Sequence, residues 1–196
     1  MLSHRAVLHN AEAAQDVLEE GYDLGEEVFL SFLPLSHSYE HMAGLIFPIA
    51  AGSQIYYAES VDKLLTNMGE VRPTIMTAVP RLFESMRMRI LQNIEKASSV
   101  QKWMFWKAVE VGKKRILEPE KMSLLDRLLD PILERLVRAK VRGRFGGRLK
   151  ALVSGGAALT PDIGYFFQAL GLELLQGYGQ TETAPLISVN RRAVLK

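Results

Sequence analysis

The chain has 196 residues, 48% hydrophobic and 23% charged, the proportions of an ordinary globular protein long enough for a sizeable core. It contains no cysteine, which excludes disulfides, thiolate metal sites and cysteine nucleophiles. The net charge is only +2, but residues 1–70 hold eleven acidic groups against two basic ones, and residues 71–196 hold eleven acidic against twenty-two basic.

In chain order, Val7, Ala11, Ala14 and Leu18 share one face of a predicted helix over 5–20, with Ser3 as N-cap and Gly21 as its stop. Residues 28–33 read as a buried strand closed by Pro34, and 38–50 as an apolar helix with Pro48 near its end. Residues 54–58 are strand-like, 61–68 a short helix, and 75–79 a further strand leading to Pro80, which suits a first helical turn. Residues 81–142 read as a long helical region with breaks near Ser98-Ser99, Glu118-Pro119 and Asp130-Pro131. Then come strand 149–153, a helix over 161–170 opened by Thr160-Pro161-Asp162, strand 172–176 and strand 186–189. This alternation predicts an α/β fold with a mainly parallel sheet and flanking helices. Ligands in such sheets bind beyond the carboxyl ends of strands, where Pro34–Tyr39, Gly155–Ala158 and Tyr178–Thr183 are expected. No apolar run is long enough for a membrane span and Met1 opens no signal-like segment, so a cytoplasmic location is expected.

Two glycine motifs follow apolar runs. Ser154-Gly155-Gly156-Ala157-Ala158 comes after Leu149–Val153, and Gln176-Gly177-Tyr178-Gly179-Gln180-Thr181-Glu182-Thr183 comes after Leu172–Leu175. Glycines allow a sharp turn and close approach to a ligand. An aromatic offers a flat face to a base, a threonine hydroxyl can bond a phosphate, and a glutamate can hold Mg²⁺. Either motif alone is equally an ordinary turn or the start of a helix, and Glu182 alone is equally a loop carboxylate.

Together these motifs resemble those of the AMP-forming adenylating enzymes, the acyl-CoA synthetase and luciferase superfamily. Phe32–His41 is similar to that family's Leu-Pro-x-x-His segment, and Thr77–Glu84 to the Val-Pro-Arg-x-x-Glu helix start of its long-chain fatty acyl-CoA synthetase branch. Met1–Arg5 resembles the residues that follow the family's phosphate loop, so the likeness runs in family order from residue 1 to about 190. The resemblance implies the central part of the large N-terminal domain of an adenylate-forming enzyme, with a helical insertion over about 81–142. Its phosphate loop would precede Met1, while the ribose-binding aspartate and the C-terminal domain would follow Lys196. Residues 1–196 alone are therefore expected not to complete either half-reaction.

The implied function is a long-chain fatty acid–CoA ligase using ATP, Mg²⁺, a fatty acid and coenzyme A. The roles carried over are a Mg²⁺ ligand for Glu182 and a phosphate contact for Thr181. Tyr178 would stack on adenine within the nucleotide segment of Gln176, Gly177, Gly179 and Gln180. Gly155, Gly156 and Ala157 would let the backbone pass beside base and acyl chain. His37 would lie where substrate carboxylate and thiol converge; read alone, it is a helix-start histidine bonded to backbone. Tyr39 and His41 are assigned to packing or pocket lining. The four histidines show no zinc-ligand spacing.

Two further segments bear on partners. Arg135, Arg138, Lys140, Arg142, Arg144, Arg148 and Lys150 form a run without an acid, which reads first as a solvated face. It could also attract an anionic membrane or rim a site for ATP or coenzyme A, and no nucleic-acid partner is expected. Around Trp103 and Trp106, helical spacing puts Val100, Trp103, Met104, Ala108 and Val111 on one side, read as a helix packed on the domain or, as a second reading, as a peripheral membrane contact. The competing functions are thus a non-catalytic membrane-surface or interaction module and, nearer at hand, a fatty acyl-AMP ligase or the adenylation domain of a carboxylic acid reductase.

Overall fold

The computed structural model describes residues 2–191. Residues 193–196, past the last matched strand, lie outside them. Six strands, β1 (Val28–Ser31), β2 (Gln54–Tyr57), β3 (Ile75–Ala78), β4 (Ala151–Ser154), β5 (Leu174–Gly179) and β6 (Leu186–Val189), form one sheet in the order β2-β1-β3-β4-β5-β6. All neighbouring pairs are parallel except β5 with β6.

Side-chain alternation along the strands builds two cores. Phe29, Ile75, Ala151 and Leu175 face one layer, where they meet Ala11, Ala14 and Leu18 of α1 (His4–Glu19) together with Met42 and Phe47. Leu30, Met76, Leu152 and Leu174 face the other layer. There they meet α4 (Leu64–Val71), α5 (Pro80–Glu95), α6 (Ser99–Leu117) and α9 (Pro161–Ala169). Ser3 caps α1 as expected, its hydroxyl accepting from the Ala6 amide at 3.2 Å.

The helix expected over 38–50 exists as α2 (Ser38–His41), a π-helical turn Met42–Ile46, and α3 (Phe47–Ala50). Gly44 sits in the π turn because the Glu40 carboxylate fills the place where a side chain would begin.

Several expectations are corrected. The long helical region runs on to Arg144, through α7 (Leu124–Leu133), a π turn Glu134–Arg138 and α8 (Ala139–Arg144). No break occurs at Pro131, which lies inside α7. The basic run is not simply a solvated face. Arg138 is fully buried, 2.7 Å from Asp130 and donating to the Ala169 and Ala108 carbonyls at 2.9 and 3.1 Å. Arg142 pairs with Glu134, and Lys150 with the buried Glu27. On α6 the buried face is Phe105, Ala108, Val109, Val111 and Gly112, whereas Val100 and Trp103 are exposed. Finally, β5 begins at Leu174 rather than Leu172 and continues to Gly179, so Gly177-Tyr178-Gly179 is strand, not turn.

Candidate active site

Because β1, β3, β4 and β5 run parallel, their carboxyl ends lie on one edge of the sheet. Four segments leave that edge: Phe32–His37 after β1, Val79-Pro80 after β3, Gly155–Ala158 after β4, and Gln180–Thr183 after β5. β4 and β5 are in register with Ser154 opposite Gln176, so both glycine motifs leave adjacent strands.

His37 is the N-cap of α2. Its Nδ1 accepts from the Tyr39 amide at 3.2 Å, which leaves Nε2 as the protonated nitrogen. It caps the helix, as the residue read alone predicts, and it also lines the strand-end cavity. The Tyr39 phenol donates to the Val153 carbonyl at 2.8 Å, and its ring lies where a side chain on Gly155 would have to begin. Burial pushes the phenol well above its ordinary range, so it stays a donor. Gly155 is thus required for close approach, and Gly156, at φ +81°, adopts a backbone that other residues rarely take.

Below this surface, Glu40 is fully buried and accepts from Ser31 at 2.6 Å and Thr77 at 2.8 Å. Burial raises its pKa, while the two hydroxyls and the Phe32 and Leu33 amides oppose that rise. The carboxylate therefore ties the ends of β1 and β3 to the start of α2.

The final segment is a hairpin. Gly179 faces the Pro185 carbonyl too closely for any side chain, and the Gln180 amide donates to that carbonyl at 3.0 Å. Thr181–Thr183 form a 3₁₀ turn, followed by a cis Ala184–Pro185 peptide. Tyr178, Thr181 and Glu182 are all exposed. Ser38 and Thr181 hydroxyls lie 3.1 Å apart, which joins the His37 segment to the Thr181-Glu182 turn. On the opposite side of β6, Asn10 of α1 bonds both backbone groups of Leu186, at 2.7 and 3.0 Å, and so fixes this edge strand.

A cavity of about 390 Å³ opens between the segments that follow β1, β3 and β4. Leu33, Val79 and Pro80 give it apolar walls, and His37, Gly156 and Ala157 border it. Its volume is that of a small-molecule site. Arg81 and Glu84, on the first turn of α5, also line it. Sequence reasoning did not include them, or Ser38, in the site. Pro80 after an apolar strand was the available signal, since it points the first turn of a helix at the strand ends. Among the described residues no group of three or more His, Asp or Glu could hold a metal. Glu182 can still serve: it is exposed, has no ion pair among the described residues, and follows Thr181 in the same 3₁₀ turn. Mg²⁺ commonly takes one or two protein carboxylates and completes its shell with phosphates and water, so this donor set fits.

The family model described as AMP-binding enzyme matches residues 1–195. The chain belongs to the AMP-binding enzyme family. It is 31% identical over 167 residues to the peroxisomal long chain acyl-CoA synthetase 6 of Arabidopsis thaliana, covering 83% of this chain and 22% of that protein. It is 30% identical over 180 residues to a long-chain-fatty-acid–CoA ligase of Mycobacterium bovis, covering 87% of this chain and 28% of the relative. The chain thus spans roughly a quarter of the length of these relatives. Among solved structures, a benzoate CoA ligase from Burkholderia xenovorans superposes with a TM-score of 0.60 at 25% identity, over 99% of this chain and 30% of that one. The fold is that of an adenylate-forming enzyme domain, as the sequence predicted.

Proposed function

We propose that this chain supplies the acyl and adenine portion of a long-chain fatty acid–CoA ligase. In the first half-reaction a fatty acid carboxylate oxygen attacks the α-phosphorus of ATP, and pyrophosphate leaves with the electron pair of the broken P–O bond. In the second, the sulfur of coenzyme A attacks the acyl-adenylate carbonyl, the thiol proton is lost, and AMP leaves.

The observation that carries this reading is the contact between Ser38 and Thr181. It sets the cavity beside His37 next to the turn bearing Thr181 and Glu182, so an acyl group and a phosphate chain have adjoining places. Tyr178 offers an exposed ring for adenine stacking, flanked by Gln176, Gly177, Gly179 and Gln180. Gly155, Gly156 and Ala157 present backbone to the base and the acyl carbonyl. Thr181 donates to a phosphate oxygen. His37, with Nδ1 occupied, donates from Nε2 to the carboxylate and then to the adenylate carbonyl oxygen. Glu182 would hold Mg²⁺, which when bound neutralises charge on the phosphates. Positioning of this kind is how enzymes lower the barrier to phosphoryl and acyl transfer.

The acyl preference rests on the apolar cavity walls and on long-chain relatives such as the two described above. The test is calorimetric titration of the chain with sulfamoyl analogues of palmitoyl- and benzoyl-adenylate. The palmitoyl analogue is expected to bind at least tenfold more tightly. Equal or reversed affinities would overturn the long-chain assignment.

A further inference from the structure

A second cavity, of about 420 Å³, lies between the C-terminal half of α5, the first half of α6, and α8. Its lining shares no residue with that of the strand-end cavity, and Ile90 on its wall lies six residues beyond Glu84 along α5, about 9 Å of helix. Its walls are mainly apolar, with Ile90 and Ile94 from α5, Met104 and Phe105 from α6, and Val137 and Val141 from the segment leading into and through α8, beside the neutral Asn93 and Gln101. No acidic residue lines it. Lys140 and Arg144 do, both exposed, and their spacing of four places them one turn apart on the same face of α8.

These two cations differ from their helical neighbours. Arg138 and Arg142 are paired with Asp130 and Glu134, whereas Lys140 and Arg144 have no ion pair among the described residues. The result is an apolar cavity with an uncompensated pair of positive charges on one wall. A polyanionic nucleotide would leave the apolar walls unmatched, and an uncharged hydrocarbon would leave the like-charge pair uncompensated. An amphiphile with one anionic end satisfies both.

We propose that this cavity binds a long-chain carboxylate, its alkyl chain between α5, α6 and α8 and its carboxylate at Lys140 and Arg144. The site is distinct from the strand-end cavity. It stands on its own lining, whether or not the strand-end residues perform ligation.

The chain's only two tryptophans, Trp103 and Trp106, lie on α6, and Trp103 is next to Met104 of the cavity wall. Titration with 9,10-dibromostearate below its micelle concentration therefore reads binding as tryptophan quenching. Saturable quenching is expected, weakened at least tenfold in the Lys140→Glu/Arg144→Glu double variant. On the unaltered chain, dibromostearyl alcohol is expected to bind at least tenfold more weakly than the acid. The Ala157→Leu variant, which narrows the strand-end cavity, is expected to keep the quenching. Absence of quenching by the free acid, equal binding of acid and alcohol, or loss of quenching in Ala157→Leu would each overturn the proposal. So would quenching seen only with vesicles of brominated phosphatidylglycerol, which would make the surface a bilayer contact instead.

Discussion

Replacing Arg138 with methionine tests how the helical layer is held on the sheet. The Arg138 guanidinium is fully buried and joins three helices: it contacts the Asp130 carboxylate on α7 at 2.7 Å, the Ala169 carbonyl at the end of α9 at 2.9 Å, and the Ala108 carbonyl on α6 at 3.1 Å. Methionine fills a similar volume but donates nothing. Both carbonyls then lose a charged donor in a buried place, and Asp130 loses its nearest cation. Removing one member of a buried ion pair costs about 3–5 kcal/mol. Arg115 remains 3.1 Å from Asp130, which points to the lower end, about 3 kcal/mol. That is a large share of the 5–15 kcal/mol total typical of a native domain. Urea unfolding followed by far-ultraviolet circular dichroism measures it through the midpoint at an unchanged slope. A loss below about 1 kcal/mol would refute the argument that this guanidinium holds the layer together.

Two other predictions concern charge. Lys107 first, with the Ser123 cap and Lys114, holds the Asp126 carboxyl well below the usual carboxylate range, and Lys113 does the same more modestly for Asp162. Their folded pKa values are depressed, so the stability they contribute is complete above the unfolded value near 4 and is lost as pH falls below it. Thermal midpoints from pH 7 to pH 2 should fall mainly below pH 4, and Asp126→Asn should flatten that fall; an unchanged slope would contradict the assignment. For the proposed ligase at full length, Glu182→Gln should lower acid-dependent ATP–pyrophosphate exchange about a hundredfold, the equivalent of roughly 3 kcal/mol of lost transition-state stabilisation, with the fold unchanged. Near-normal exchange would count against Glu182 as the metal ligand.

Much of the architecture was legible in the sequence because its signals are local. Short apolar runs between helical periods gave all six strands, and Thr160-Pro161-Asp162 and Val79-Pro80 marked helix starts. The errors arose where distant residues decide. Gly177-Tyr178-Gly179 reads as a turn until β6 is known to return beside it and extend β5. The exposed Trp103 follows from the way α6 docks: Gly112 lies against the Ala169 backbone of α9, which turns the Phe105–Gly112 face inward and the tryptophan outward. Lys150 finds Glu27 only across the fold, from residues far apart in sequence. The burial of Arg138 did leave a signal that was missed. Asp130, Glu134, Arg138 and Arg142 repeat every four residues, so each cation has an acid one or two turns upstream on its own face. In the site, the motif residues were found, but Ser38, Arg81 and Glu84 were not, because only the folded strand ends bring Arg81 and Glu84 to the cavity and Ser38 to Thr181.

The central claim is that the strand-end edge binds an acyl-adenylate through the Tyr178–Glu182 segment and the His37 cavity. Calorimetric titration of the chain and its Tyr178→Ala variant with the palmitoyl-adenylate analogue tests it most directly. Tyr178 is 59% exposed and donates no buried contact, so its loss should leave the fold intact. Stacking of a base on an aromatic ring contributes about 1–3 kcal/mol, so the account predicts saturable one-to-one binding that weakens roughly tenfold or more in the variant and is displaced by ATP. No binding by the chain, or equal affinity in Tyr178→Ala, would contradict it.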